Sequence, residues 1–110
     1  MNIERKTEGS IDILSLKGRL DLASASKLKE LSRDIISQKK CKLILNMQNI
    51  DFINSSGLGA LVSILKDARS GGGEIKLTNL APYVREIFDI TQLSCIFNIC
   101  DNVQEAKNSF

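Results

Sequence analysis

The 110-residue chain contains no histidine, no tryptophan, a single proline and three cysteines. Without histidine, a Ser-His-Asp or Cys-His catalytic unit cannot be assembled. Ser55 and Ser56 therefore lack the usual base that would activate a hydroxyl nucleophile. A Ser-Lys pair stays open in principle, but no motif points to one. Cys41, Cys95 and Cys100 are odd in number and show no C-x-x-C spacing. Together with the missing histidine this argues against a zinc site. The cysteines are expected to be small apolar filler rather than a disulfide framework. No run of about 18 apolar residues is present, so no membrane span is expected. The start, MNIERKTEGS, lacks the apolar segment of a secretory signal, and a cytoplasmic location is the expectation. Fifteen basic residues face thirteen acidic ones, a net charge of +2. They are scattered, and the densest group, Lys39, Lys40 and Lys42, reads as a solvated link. With no basic stripe and no interleaved aromatics, nucleic-acid binding finds no support.

What is present is an ordinary globular composition, 43% hydrophobic and 25% charged. The length fits one domain, residues 1–110, able to bury roughly two-thirds of its surface. Residues 2–7 and 11–17 read as two strands joined at Glu8-Gly9-Ser10, an N-terminal hairpin. Residues near 24–38 read as a helix with Ala25, Leu28, Leu31 and Ile35 on one face and Ser24 as an available N-cap. LILNM, 43–47, is a nearly continuous apolar run that suits a central strand, and 48–53 reads as a loop. Leu58, Leu61, Val62, Leu65 and Ala68 mark a second helix, which Gly71–Gly73 ends. EIKLT, 74–78, reads as a strand buried on one face. Pro82 opens a helix carrying Val84, Ile87 and Phe88. Residues 96–100 and 103–110 complete the pattern as a strand and a short helix. The order β-β-α-β-α-β-α-β-α predicts an α/β fold: a mixed sheet with an N-terminal hairpin, parallel crossovers and about four helices.

The stretch NSSGLGALVSILKDARSGGG, 54–73, admits two readings. Asn54, Ser55 and Ser56 are good helix caps, able to satisfy an orphan N–H of the first turn. One of the serines can equally be the functional group. A phosphate-loop reading is weak, because G-L-G lacks the G-x-x-x-x-G-K-[ST] spacing. A dinucleotide fingerprint would need a glycine where Val62 stands. Functional loops of open α/β sheets lie beyond the carboxyl ends of the strands, which is where Ser55 falls. Asp21, in GRLD, ends the second strand where another loop can approach it. Gly57, Ala60 and Ile64 fall off the stripe centred on Leu58, Val62 and Leu65. They are expected to form a small uncharged docking surface beside the serines, unless Ile64 packs on a neighbouring element.

These residues carry a resemblance. GRLD at 18–21, LILNMQNIDFINSSGLGALV at 43–62, GGGEIKLTNLAP at 71–82 and V-x-x-I-F-D-I-T-x-L at 84–93 are similar to the STAS domain family, in particular its stand-alone bacterial anti-sigma factor antagonists. The resemblance implies a non-enzymatic, cofactor-free regulator. Such a protein binds an anti-sigma factor serine kinase, releases a sigma factor, and is switched off by phosphorylation that a phosphatase reverses. Matched to the family's D-[ST]-[ST]-G, the acceptor is Ser55, followed by Ser56 and Gly57, and Asn54 stands at the family's aspartate. Partner contacts are expected at Asp21, Asn54, Ser56, Gly57, Ala60 and Ile64. The alternative is a STAS-type adaptor subunit in a lipid-transport or other signalling assembly.

Overall fold

The computed structural model describes residues 1–40 and 42–110, so the reading of Cys41 as filler lies outside the described residues. β1 (Asn2–Glu8) pairs antiparallel with β2 (Ile11–Leu20), the expected hairpin. The chain continues through α1 (Leu22–Ser37), β3 (Lys42–Ile53), α2 (Ser55–Ser70), β4 (Glu74–Thr78) and α3 (Pro82–Ile90). A 3-10 turn (Leu93–Cys95), β5 (Asn98–Cys100) and α4 (Val103–Asn108) follow. The sheet order is β1-β2-β3-β4-β5, with every pair from β2 onward parallel.

Each crossover steps to the next strand in the same direction. Right-handed crossovers then place α1, α2 and α3 on one face. There Leu28, Ile35, Leu61, Ile64, Leu65, Val84 and Phe88 meet Leu14, Leu16, Leu43, Leu45 and Leu77 in the main core. α4 covers part of the opposite face, where Ala106 packs with Ile13 and Ile44. The edge strand β1 is tied in by Asp12, whose buried carboxylate accepts from Arg5 Nε at 3.0 Å and Thr7 Oγ1 at 2.7 Å.

The structure corrects several expectations. Residues 48–53 are strand, not loop. Six residues of β2 (15–20) span eight of β3 (46–53), so β3 carries two extra residues at register shifts. Each bulge displaces the inward-facing position by one. The buried residues of this half are accordingly Met47, Ile50 and Ile53, three apart rather than two. Gly18, with φ +112°, supplies backbone that L side chains rarely adopt next to one of these shifts. β4 is buried on both faces: α4 covers its second side, where Lys76 donates to Ser109 Oγ and lies over the Phe110 ring. The last strand is shorter than expected because Leu93–Cys95 winds into the 3-10 turn. Cys100 is half-buried against the α4 cluster, but Cys95 is exposed and fills nothing.

Candidate functional site

The site is built where β2 and β3 end together. Leu20 and Ile53 are register partners. Each is followed by one capping residue and then a helix. Asp21 caps α1 and Asn54 caps α2, both with extended backbone. Leu22 and Ser55 therefore hold the same place, first helical residue, in two frames standing side by side.

In the α1 frame the cap is Asp21, not Ser24. Asp21 Oδ1 accepts the Ser24 N–H at 3.3 Å, and Ser24 Oγ accepts the Asp21 N–H at 2.9 Å. Ser24, the third helical residue, closes a reciprocal capping box and also donates to the Arg19 carbonyl at 2.6 Å. The Ser24 N–H, aided by the Ser24 hydroxyl and the Arg19 guanidinium, holds the Asp21 carboxyl below the ordinary aspartate range, against the opposing effect of desolvation. Arg19 Nε lies 3.8 Å from Asp21 Oδ2, and its guanidinium stacks 3.9 Å from the centre of the Phe52 ring.

In the α2 frame Asn54 does the capping alone. Its Oδ1 accepts the Gly57 N–H at 3.1 Å, and its carbonyl accepts the Leu58 N–H at 2.9 Å. Its own N–H donates to the Leu20 carbonyl at 3.4 Å, which links the two frames. Gly57 makes that approach possible. A β-carbon there would lie 2.3 Å from the Leu20 carbonyl oxygen and 2.9 Å from its Cγ. Ser55 is exposed and Ser56 half-buried. Among the described residues no hydrogen bond engages the Ser55 hydroxyl. Asn54 thus supplies the cap of α2, and Ser55 stands beside it without that role.

The expected docking surface is corrected. Gly57, Ala60 and Ile64 are buried, Ile64 completely, on the face α2 turns to the core. The exposed side of α2 is instead Ser55, Gly59 and Lys66, with Ser63, Leu58 and Val62 half-exposed. From Ser55 to Leu65 it carries no charge. Of the expected site residues the structure brings Asp21, Asn54, Ser55 and Ser56 to one end of the sheet. It assigns Gly57 to the packing beneath them. Leu22, at the start of α1, stands at the same end and is 71% exposed. Its signal in the sequence is its place outside the stripe of Ala25, Leu28, Ser32 and Ile35.

This architecture, a mixed five-stranded sheet with α1, α2 and α3 on one face and α4 on the other, is that of the STAS domain. The family's profile matches residues 2–106, and the chain belongs to the STAS domain family. Its relatives narrow the comparison to one group of regulators. The chain is 31% identical over 102 residues to the anti-sigma-B factor antagonist of Bacillus subtilis strain 168, covering 90% of this chain and 92% of the relative. It is 28% identical over 103 residues to the anti-sigma F factor antagonist of Paenibacillus polymyxa, covering 93% and 88%. The crystal structure of TM1081 from Thermotoga maritima matches with a TM-score of 0.92 at 27% identity, covering 97% of this chain and 92% of that one. Among the described residues no helix is long and apolar enough to cross a membrane.

Proposed function

We propose that this protein is a cytoplasmic anti-sigma factor antagonist. It binds an anti-sigma factor that is also a serine kinase and thereby releases a sigma factor. The kinase, using ATP, phosphorylates Ser55, and a phosphatase restores the free hydroxyl. The relatives named as anti-sigma factor antagonists support the role. The observation that carries the switch is the freedom of the Ser55 hydroxyl: Ser55 is exposed and, among the described residues, no hydrogen bond engages its side chain, while Asn54 caps the helix end.

The physics of the two states follows. Phosphate adds about −1.5 to −2 charges at neutral pH. At the first position of α2 it meets free N–H groups and the positive end of the helix dipole, so the modified domain stays folded. A partner that covers the uncharged flank of α2 beside Ser55 would bury that charge unpaired, at a cost of several kcal/mol. Since about 1.4 kcal/mol is a tenfold change in affinity, modification at one atom separates the complex. Asp21, Asn54 and Ser56 flank the acceptor and are the contacts the kinase meets. Gly57 acts from beneath by fixing where Ser55 stands.

The test uses the anti-sigma factor kinase that co-purifies with this chain. Phosphate is expected on Ser55 and not on Ser56. Ser55→Ala should block modification and keep binding, while Ser55→Glu should weaken binding with both variants folded. If Ser55→Ala loses the kinase as completely as Ser55→Glu, the serine is a direct contact and the charge switch is wrong.

A further inference from the structure

Among the described residues, the side chain of Leu22 belongs to neither hydrophobic cluster. The start of α1 is capped by Asp21 and Ser24, and the buried stripe of α1 begins at Ser24 and Ala25 without it. Its side chain is left 71% exposed. Its position, however, is tightly defined. Leu20 and Ile53 are register partners, and two residues further on stand Leu22 and Ser55. α1 and α2 pack against each other. Packed helices run about 8–10 Å apart, which sets Leu22 roughly one helix spacing from Ser55. Half-exposed Leu58 and Val62 extend apolar surface along α2 from the same end.

A contrast within the molecule sharpens the point. Ile90 is just as exposed, at 73%. It ends α3, however, whereas Leu22 begins α1. In parallel crossovers each helix starts at the carboxyl end of the strands and returns to the opposite end. Leu22 therefore shares the Ser55 end of the domain, and Ile90 lies at the far end.

We infer that Leu22 is an apolar anchor for the protein that acts on Ser55. The partner is the anti-sigma factor kinase, and it carries an apolar pocket one helix spacing from the point where it receives the serine. Leu22 fills that pocket, and the uncharged flank of α2 lies against its rim. Seating the Leu22 side chain in a pocket removes its apolar surface from water, and that burial contributes to affinity. The inference rests on the proposed function, and its test separates the two.

Phosphate on Ser55 is measured by mass spectrometry in cells that produce this protein. Initial rates are then measured with the kinase purified on the wild-type chain, for wild type, Leu22→Ser, Leu22→Met and Ile90→Ser. Leu22→Ser is expected to lower kcat/KM roughly tenfold, through KM. Leu22→Met should restore most of the loss, Ile90→Ser should leave the rate unchanged, and all four chains should melt together. A wild-type rate for Leu22→Ser, with Ser55 modified normally, overturns the anchor and leaves the proposed function standing. Equal losses for Leu22→Ser and Ile90→Ser overturn it too, since the effect then belongs to the whole domain. If wild-type Ser55 never carries phosphate, the proposed function fails and the anchor with it.

Discussion

Replacing Gly57 and Gly59 by alanine, one at a time, adds the same methyl group to the same helix two residues apart, and the two changes should move stability in opposite directions. Alanine is favoured over glycine inside a helix by about 1 kcal/mol. At Gly59 a β-carbon would meet nothing within 4 Å, so Gly59→Ala should stabilise by about 0.5–1 kcal/mol. At Gly57 it would lie 2.3 Å from the Leu20 carbonyl oxygen and 3.1 Å from Ile53 Cγ1. The oxygen belongs to backbone at the end of β2 and already receives the Asn54 N–H, so it has no easy retreat. Restoring an ordinary contact means shifting the start of α2 by about 1 Å, at the 1–3 kcal/mol typical of overpacking, or more. After the propensity gain, Gly57→Ala should be destabilised by about 1–2 kcal/mol. For a domain of this length that is a fall of roughly 4 °C in Tm per kcal/mol. Urea and thermal unfolding of both variants beside wild type provide the measurement. A Gly57→Ala chain as stable as Gly59→Ala would refute the close approach of α2 to Leu20, and with it the placement of Ser55.

Three other expectations follow from the same geometry. Asn54→Asp should keep the cap, since both residues cap well. If the family's aspartate orients the hydroxyl, it should also raise the rate of Ser55 phosphorylation, measured with the cognate kinase. Asp21 has a folded pKa below its unfolded value, so its stabilisation is present above the ordinary value of about 3.9 and is lost as pH falls through the lower folded value. Asp21→Asn keeps the cap without the charge and should flatten that part of the acid limb in urea midpoints recorded from pH 6 to pH 2. Leu61 is completely buried and Lys66 exposed, so Leu61→Ala should cost about 2–5 kcal/mol and Lys66→Ala little, a contrast that calorimetry reads directly.

The order of elements was legible because each crossover helix is bounded by strong signals: Asn54 before α2, Gly71 after it, and Pro82 at the start of α3. Two features were not. The second half of β3 hid its strand character because two bulges change the spacing of its buried residues, so alternation could not reveal it. Bulges are set by how β3 pairs with β2, which no local window contains. The phase of α2 differs from the expected one for another reason. α2 packs on the sheet and against α1, so its apolar arc is wide and takes in Leu58, Ala60, Leu61, Val62, Ile64 and Leu65. An arc that broad has no sharp centre. The narrow polar side, Gly59, Ser63 and Lys66, marks the phase better and would have left Ala60 and Ile64 inside. The cap of α2 lay within the Asn54-Ser55-Ser56 cluster that the chain itself marks, whereas the cap of α1, expected at Ser24, is Asp21. The placement of Leu22 beside Ser55 needed the register of β2 against β3, which no local window contains.

The division of labour between Asn54 and Ser55 has a consequence for how long the protein lasts in the cell. Marginal proteins are removed according to how often they open, and a change of 1–2 kcal/mol can alter abundance several-fold. Here the group that secures the helix end, Asn54, is separate from the group left open to chemistry. Whatever position 55 carries, the fraction of chains open to proteases should stay nearly the same. The proposed phosphate on Ser55 would thus be carried at constant copy number, and the pool would not need to be resynthesised each time it is removed.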